Sequence, residues 1–206
     1  EEEALVSNIM NAPLPKWTTL RARRLQNWGG LPHPNGMVLS PLPPWLSQWA
    51  MRLKQVVGDL LPTAPNHCLI NEYRPGQGIM PHEDGPLYVP VVATLTVGGN
   101  TMLDFYPSSR VESRPETPSS DISSASNFSI SSSSSDTSTV IGDPAFSLYT
   151  QRRSLYVFSS KAYTDYRHGI AERDFDVVGD ETIPRTTRIS LTFRVVKKVL
   201  KAKIKL

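Results

Sequence analysis

The chain has 206 residues, of which 39% are hydrophobic, a size that fits one domain, residues 1–206, with its own core. No apolar run approaches the roughly 18 residues needed to cross a bilayer, and the acidic start does not resemble a secretory signal. The net charge of +3 permits contact with nucleic acid without requiring it. We therefore expect a soluble protein of the nucleus and cytoplasm, with no membrane partner.

The predicted elements begin with helices. A helix-like pattern opens the chain, and a second, amphipathic helix is predicted between Pro44 and Pro62, where apolar residues recur at three- and four-residue steps. These apolar positions are Leu46, Trp49, Leu53, Val56 and Leu60. Such a helix needs a sheet on which to pack.

Strands are predicted to follow in close order. Runs of β-branched and aromatic residues place them at 67–73, 89–97, 101–106, 146–150, 154–158 and 186–196. Helices do not alternate regularly with these strands, which argues against a doubly wound parallel sheet. The pattern favours a mainly β fold, an antiparallel sandwich or barrel with N-terminal helical buttresses.

A serine-rich stretch, residues 108–140, interrupts the strands. It is poor in apolar residues and punctuated by proline, so it cannot bury enough surface to offset its ordering entropy. Because strand-like runs flank it, we predict a disordered insertion in an enlarged hairpin loop of one domain rather than an interdomain linker. Regulation of this loop by phosphorylation remains an alternative.

A histidine and a carboxylate two residues apart, His82 and Asp84, follow a stretch with glycines and a proline. Side chains two apart along a strand point the same way, so this pair can supply two corners of a metal site. A third donor could be His168, which ends an aromatic, strand-like run. Two imidazoles and one carboxylate form the facial triad of non-haem iron(II) oxygenases. Taken alone, the His-x-Asp pair is weak evidence for a metal, and a surface turn is the commoner explanation.

The segment RISLTFR, residues 188–194, alternates polar and apolar side chains. If its apolar face packs on the helices, Arg188, Ser190, Thr192 and Arg194 look into the barrel. Two buried guanidinium groups need an anionic ligand, and a carboxylate suits them. Beside an iron site, this favours 2-oxoglutarate. The alternative is an edge strand with both arginines in water.

The motifs NEYRPGQGIMPHED, His168 and RISLTFR, in this order, resemble the AlkB family of Fe(II)- and 2-oxoglutarate-dependent dioxygenases. The resemblance implies a double-stranded β-helix, a relative of the jelly roll, and Fe(II), 2-oxoglutarate and O₂ as cofactors. Flanking stretches such as LQNWGGLPHPNGMV are most similar to eukaryotic members, and a plant source is expected.

Carried over position by position, the resemblance implies that His82, Asp84 and His168 are the iron ligands and therefore the catalytic residues. Several members place a further acidic residue two positions after the His-x-Asp motif, where it senses the substrate base. In this chain the position is Pro86. This departure puts the repair of methylated adenine or cytosine in DNA in doubt.

Five positions match residues that bind 2-oxoglutarate in the family. Asn71 and Tyr73 would hydrogen-bond it from a neighbouring strand, and their spacing places them on one face. Arg188 would pair with its far carboxylate, and Arg194 matches the second arginine of the pattern. Ser190 stands where many members have asparagine, so its part in binding is in doubt.

Residues 1–36 include a candidate nucleotide-recognition lid, because relatives that repair nucleic acid hold it with such a segment. The basic and aromatic residues there suit phosphate contacts and base stacking. The substrate-binding candidates are Lys16, Arg21, Arg23, Arg24 and Trp28. A plain alternative puts the tryptophans in the core and the arginines in solvent. The lysine-rich tail fits a phosphate contact, a nuclear-import signal or a solvated end.

The sequence thus predicts a dioxygenase that oxidises an N-methyl group in RNA or single-stranded DNA, after which the product loses formaldehyde. One alternative is the same chemistry on a protein side chain or a small molecule. Another is a non-catalytic nucleic-acid-binding module that keeps a metal for stability. The sequence names no protein partner.

Overall fold

The computed structural model describes residues 1–108 and 142–200, and strands dominate this part of the chain. Its helices are α1 (Glu2–Met10), α2 (Pro44–Val57) and α3 (Ser160–Thr164), and 3₁₀ turns span Leu14–Lys16 and Gly58–Leu60. The strands are β1 (Trp17–Leu20), β2 (Arg23–Trp28), β3 (Met37–Val38), β4 (His67–Tyr73), β5 (Ile79–His82), β6 (Val91–Val97), β7 (Thr101–Pro107), β8 (Phe146–Thr150), β9 (Ser154–Ser159), β10 (Tyr166–Ile170), β11 (Phe175–Val178), β12 (Glu181–Pro184), β13 (Arg188–Arg194) and β14 (Val199–Leu200).

Two sheets form the body of the fold. The large sheet has the strand order β1-β2-β4-β13-β6-β9, and the small sheet has the order β5-β10-β7-β8. All pairings within these two sheets are antiparallel. This arrangement confirms the prediction of a mainly β, antiparallel architecture, and it places β13 between β4 and β6 although β13 follows both in the chain.

Helices α1 and α2 cover the outer face of the large sheet, as the sequence predicts. Leu46, Ala50 and Leu53 of α2 are buried in one cluster with Ile189, Leu191 and Phe193, which form the apolar face of β13. The opposite face of β13 is therefore directed at the small sheet. The edge-strand alternative is wrong, because every residue of β13 is buried.

The predicted helix is too long at its C-terminal end. It stops at Val57, because Gly58 adopts φ of 65° and breaks the helical path. Val56 and Leu60, predicted on the buried face, are 72% and 54% exposed. The buried stripe continues instead through Val57, which packs against the core.

The predicted strands are all present, and their ends differ from the predicted ones by at most two residues. The sequence misses the β1–β2 hairpin, in which charged residues hide the alternation. Strands β7 and β8 pair directly, with Phe105 opposite Phe146, so the serine-rich insertion interrupts a hairpin. Residues 109–141, which include nearly all of the insertion, lie outside the described residues, as does the tail beyond residue 200.

In the described part of the chain, no helix has the length and apolar character that a membrane span requires.

Candidate active site

The space between the two sheets collects most of the predicted site residues. The lining of this cavity includes Asn71, Tyr73, His82, His168, Arg188, Ser190 and Arg194. A cavity of about 570 Å³ on the helical side of the large sheet is bigger than this one, at about 50 Å³. The larger cavity contains none of the candidate iron ligands, so the chemistry belongs to the space between the sheets.

Two histidines meet where β5 pairs with β10. His82 and His168 are directly opposite in the register, and their ring centroids are 4.5 Å apart. The next residue, Gly169, permits this close approach, because a Cβ atom there would lie 2.9 Å from the carbonyl oxygen of Ile79. The strand pairing therefore brings together two imidazoles that are far apart in the sequence.

Hydrogen bonding and burial prepare both rings to bind a metal. The Nδ1 atom of His82 lies 2.9 Å from the carbonyl oxygen of Met80. Nδ1 therefore carries the hydrogen, and the lone pair of Nε2 is free to bind a metal. Burial lowers the pKa of His82, and it lowers the pKa of His168 to about 4 against the opposing charge of Asp84. Both rings are neutral at pH 7, as metal ligands must be.

The carboxylate of Asp84 completes the group, two residues beyond the end of β5. Its Oδ1 atom accepts a hydrogen bond from Nη2 of Arg194. Its Oδ2 atom is 4.0 Å from Nε2 of His168 and is buried without a hydrogen-bond partner. An unpaired carboxylate oxygen beside two imidazoles fits a divalent cation.

Within residues 1–108 and 142–200, no three His, Cys, Asp or Glu side chains already stand in the arrangement that holds a metal ion. Arg194 occupies Oδ1 of Asp84, and Oδ2 is left without a hydrogen-bond partner. Two imidazoles and this carboxylate oxygen are a donor set that fits Fe(II).

A buried guanidinium lies deeper in the same cavity. Arg188 is 2% exposed, and its Nη2 atom donates to Oγ1 of Thr96 at 3.0 Å. Its Nε atom is buried without a hydrogen-bond partner, and among the described residues it forms no ion pair with a carboxylate. Such a group is suited to an anionic ligand. Sequence reasoning missed Thr96, although the alternation of β6 places it on the inner face.

The amide and hydroxyl groups proposed for 2-oxoglutarate share the cavity wall with Arg188. In the β4–β13 register, Asn71 is opposite Ser190 and Tyr73 is opposite Arg188. Burial raises the pKa of Tyr73 to about 12, so its hydroxyl stays protonated and can donate. Arg23 joins this wall from β2, because its Nε atom donates to Oδ1 of Asn71 at 3.0 Å.

Three of the five substrate-binding candidates make contacts on the helical side of the large sheet. The ring of Trp28 packs edge-on against Trp45, with centroids 5.9 Å apart, and the Nζ atom of Lys16 lies 4.1 Å from the Trp28 centroid. Arg24 donates two hydrogen bonds to the carboxylate of Glu72, at 2.8 and 2.6 Å. These contacts favour the core interpretation for Trp28, whose role in base stacking stays a prediction.

Arg21 differs from these three. It lies at the tip of the β1–β2 hairpin with its side chain 85% exposed. Its Nη2 atom is 3.0 Å from Oε1 of Glu172, just beyond the end of β10. The hairpin therefore reaches across to the strand that carries His168.

The fold and this constellation define a class of oxygenase, and comparison with known proteins agrees. Residues 3–194 match the 2OG-Fe(II) oxygenase superfamily, and the chain belongs to that superfamily. Fe(II), 2-oxoglutarate and O₂ are the cofactors that membership implies. The chain is thus an Fe(II)- and 2-oxoglutarate-dependent dioxygenase, and the binding-module alternative is not favoured.

Within the superfamily, the chain is 41% identical over 218 residues to a Danio rerio protein named "Probable RNA/DNA demethylase ALKBH6", an alignment that covers 99% of this chain and 84% of the relative. The expected AlkB family is therefore confirmed, whereas the plant source stays a prediction. The uncharacterized protein L905 of Acanthamoeba polyphaga mimivirus is 26% identical over 211 residues, which cover 100% and 82% of the two chains.

Solved structures support the double-stranded β-helix. The structure of OsALKBH1 superposes with a TM-score of 0.57 at 14% identity, over 94% of this chain and 91% of that one. A 2OG-Fe(II) oxygenase from Burkholderia pseudomallei gives a TM-score of 0.50 at 14% identity, over 97% and 82%. At these identities the similarity concerns the fold.

Proposed function

We propose that this oxygenase removes N-methyl groups from bases of RNA or single-stranded DNA. The observation that carries the proposal is that His82, His168 and Arg188 line one cavity, with Asp84 beside His168. The guanidinium of Arg188 is buried there and pairs with no carboxylate among the described residues. The nucleic-acid substrate is supported by the relative named as an RNA/DNA demethylase and by the basic β1–β2 hairpin beside the cavity.

His82, Asp84 and His168 would hold Fe(II). When bound, the metal would allow O₂ to oxidise 2-oxoglutarate to succinate and CO₂ and to hydroxylate the methyl carbon, and the hydroxymethylated base would then release formaldehyde. The protein orients the groups that react. Because the side chains of His168 and Asp84 are only 11% and 2% exposed, bulk water has little access to these two donors.

Residues deeper in the cavity would bind 2-oxoglutarate. Arg188, held by Thr96, would pair with the far carboxylate, and the protonated hydroxyl of Tyr73 would donate a hydrogen bond. Asn71 and Ser190 would add polar contacts from adjacent strands. Arg194 has a different task in this arrangement, because its guanidinium orients Asp84.

The β1–β2 hairpin would contact the nucleic acid. Arg21 is exposed at its tip, and Arg23, the first residue of β2, connects the hairpin to Asn71. Cationic side chains at the edge of a cavity attract a phosphate backbone without reading its sequence. A single-stranded substrate suits this site, because its base is already unpaired and can approach the metal donors without first leaving a duplex.

Succinate release tests the proposal. We would measure it with Fe(II), ascorbate and 2-oxoglutarate, with and without a panel of methylated single-stranded RNA and DNA oligonucleotides. The unchanged protein would be compared with His82→Ala and with His33→Ala, a matched control because His33 is exposed and outside the cavity. Turnover that needs both His82 and one methylated base supports the proposal.

Other outcomes are equally informative. Turnover that depends on His82 but ignores every oligonucleotide would move the substrate to a protein side chain or a small molecule. Absence of turnover, despite tight binding of 2-oxoglutarate and oligonucleotide, would contradict the enzymatic assignment.

A further inference from the structure

A buried histidine outside the proposed chemistry lies behind Arg194. His67 begins β4, directly opposite Arg194 at the end of β13, and it is 1% exposed. Its Nε2 atom is 2.8 Å from Oδ1 of Asn27. Because an amide oxygen only accepts hydrogen bonds, Nε2 carries the hydrogen and Nδ1 is left as an acceptor. Burial lowers the pKa of His67 to about 3, so the ring is neutral at pH 7 and carries a single hydrogen.

The guanidinium of Arg194 is the complementary group. Its Nη2 atom donates to Asp84, and its plane lies over the ring of Tyr88, with Cζ 4.9 Å from the centroid. That ring is in turn 5.8 Å from the ring of His67. The side chains of Arg194, Tyr88 and His67 therefore border one region between the sheets.

One donor and one acceptor in this space lack partners. The Nε atom of Arg194 and the Nδ1 atom of His67 are both buried, and neither has a hydrogen-bond partner among the described residues. Buried polar groups are almost always paired, either with each other or through an internal water. Nε can only donate and the free Nδ1 can only accept, so the two atoms complement each other.

We propose that His67 is a positioning residue for the metal site and acts through Arg194. A buried water between them accepts a hydrogen bond from Nε of Arg194 and donates one to Nδ1 of His67, and this link fixes the guanidinium that holds Asp84. A chain of contacts then runs from Asn27 through His67 and Arg194 to the carboxylate. The inference rests on the proposed function only in taking Asp84 as a metal ligand.

Two substitutions separate this role from a structural one. In His67→Asn, the short amide oxygen can replace Nδ1 towards Arg194, but the contact with Asn27 is lost. In His67→Gln, the longer amide can keep the contact with Asn27 but provides no acceptor at the Nδ1 position. If His67 only anchors β4 to β2, glutamine should be the better replacement. If it positions Arg194, asparagine should be better.

The readout is the dissociation constant of Mn(II), measured by electron paramagnetic resonance of the free ion on the full chain, without 2-oxoglutarate or nucleic acid. Groups that orient metal ligands typically change affinity by roughly 10- to 100-fold. We expect His67→Gln to weaken Mn(II) binding by about tenfold or more and His67→Asn by less than about threefold. In an Arg194→Met background, His67→Gln should have no further effect.

Three results would overturn the proposal: equal Mn(II) affinity in all variants, a smaller loss for glutamine than for asparagine, or additive losses in the Arg194→Met background. Melting temperatures serve as the control, because affinity that merely follows stability indicates a structural role. A chain that fails to bind Mn(II) at all would remove the premise. None of these measurements depends on demethylation, so failure of the proposed function would be recognised separately.

Discussion

Replacing Arg188 by methionine should separate cofactor binding from folding. Arg188 is 2% exposed, with one hydrogen bond to Thr96 and no carboxylate beside it in the described residues. The free protein therefore bears the cost of a buried, poorly compensated charge, which a bound carboxylate would relieve. Methionine has a similar length and no charge. We expect the free protein to be as stable as before, or more stable, and its affinity for 2-oxoglutarate to fall.

The size of the effect follows from the lost ion pair. A charge-assisted hydrogen bond contributes about 1.5–3 kcal/mol, which corresponds to roughly 10- to 100-fold in affinity. A ligand at about 100 times its Kd stabilises the folded state by about 2.7 kcal/mol, and a roughly thirtyfold weaker Kd reduces this to about 0.9 kcal/mol. For a chain of 206 residues, the ligand-induced rise in Tm should fall from about 5–11 °C to about 2–4 °C.

Thermal unfolding under anaerobic conditions, with Mn(II) and with or without 2-oxoglutarate, measures both quantities. Arg52→Met is the matched control, because the side chain of Arg52 is 54% exposed on α2, far from the cavity between the sheets. An Arg188→Met protein that keeps the full ligand-induced shift would refute the assignment of Arg188. A large loss of Tm without ligand would show instead that the guanidinium is satisfied within the protein.

Two further predictions concern the N-terminal part of the chain. Trp28→Ala should lower stability by about 1–3 kcal/mol, because the half-buried ring loses its packing against Trp45. Oligonucleotide affinity, measured below the unfolding temperature, should change less than about threefold. A loss of affinity at unchanged Tm would support base stacking by Trp28 instead. Glu2→Gln should lower stability at pH 7 by about 1 kcal/mol, because the carboxylate of Glu2 binds Arg152, Arg153 and the amide of Gly98. The hydrogen bond from Arg152 is the main cause that lowers the pKa of Glu2 from 4.5 to about 2, so this stabilisation is present above pH 4.5 and is lost as the pH falls towards 2. Urea unfolding across this range should show the two proteins converging at low pH; a constant difference would contradict the prediction.

The sequence predicts the polar interior of the site well, because a strand period of two is a strong constraint. In RISLTFR every second residue is polar, and the structure places those residues inside. The same period relates Asn71 to Tyr73 on β4. The pairing of His82 with His168 cannot be derived from spacing, since it depends on β5 and β10 becoming neighbours in a sheet. The sequence alone offers His168 as a candidate third donor, and the resemblance to a family is what assigns it to the same site.

Contacts between elements account for what the sequence misses. The ring of Trp28 fits a stacking platform as well as a core position, and only the packing of Trp45 against it distinguishes the two. His67 has no motif around it, and its importance appears only when Arg194 is found opposite it. Gly58 is the one signal in the sequence for the end of α2, because the apolar pattern continues beyond it to Leu60.

The central place of β13 has a consequence for synthesis on the ribosome. This strand leaves the ribosome after the other strands that line the cavity, yet it pairs with β4 on one side and β6 on the other. Until β13 has been synthesised, β4 and β6 each have an unpaired edge, and the large sheet consists of two separate parts, β1-β2-β4 and β6-β9. Unpaired edges invite pairing with other chains. The nascent protein therefore passes through an aggregation-prone interval that ends when its last site residues, Arg188 to Arg194, enter the sheet.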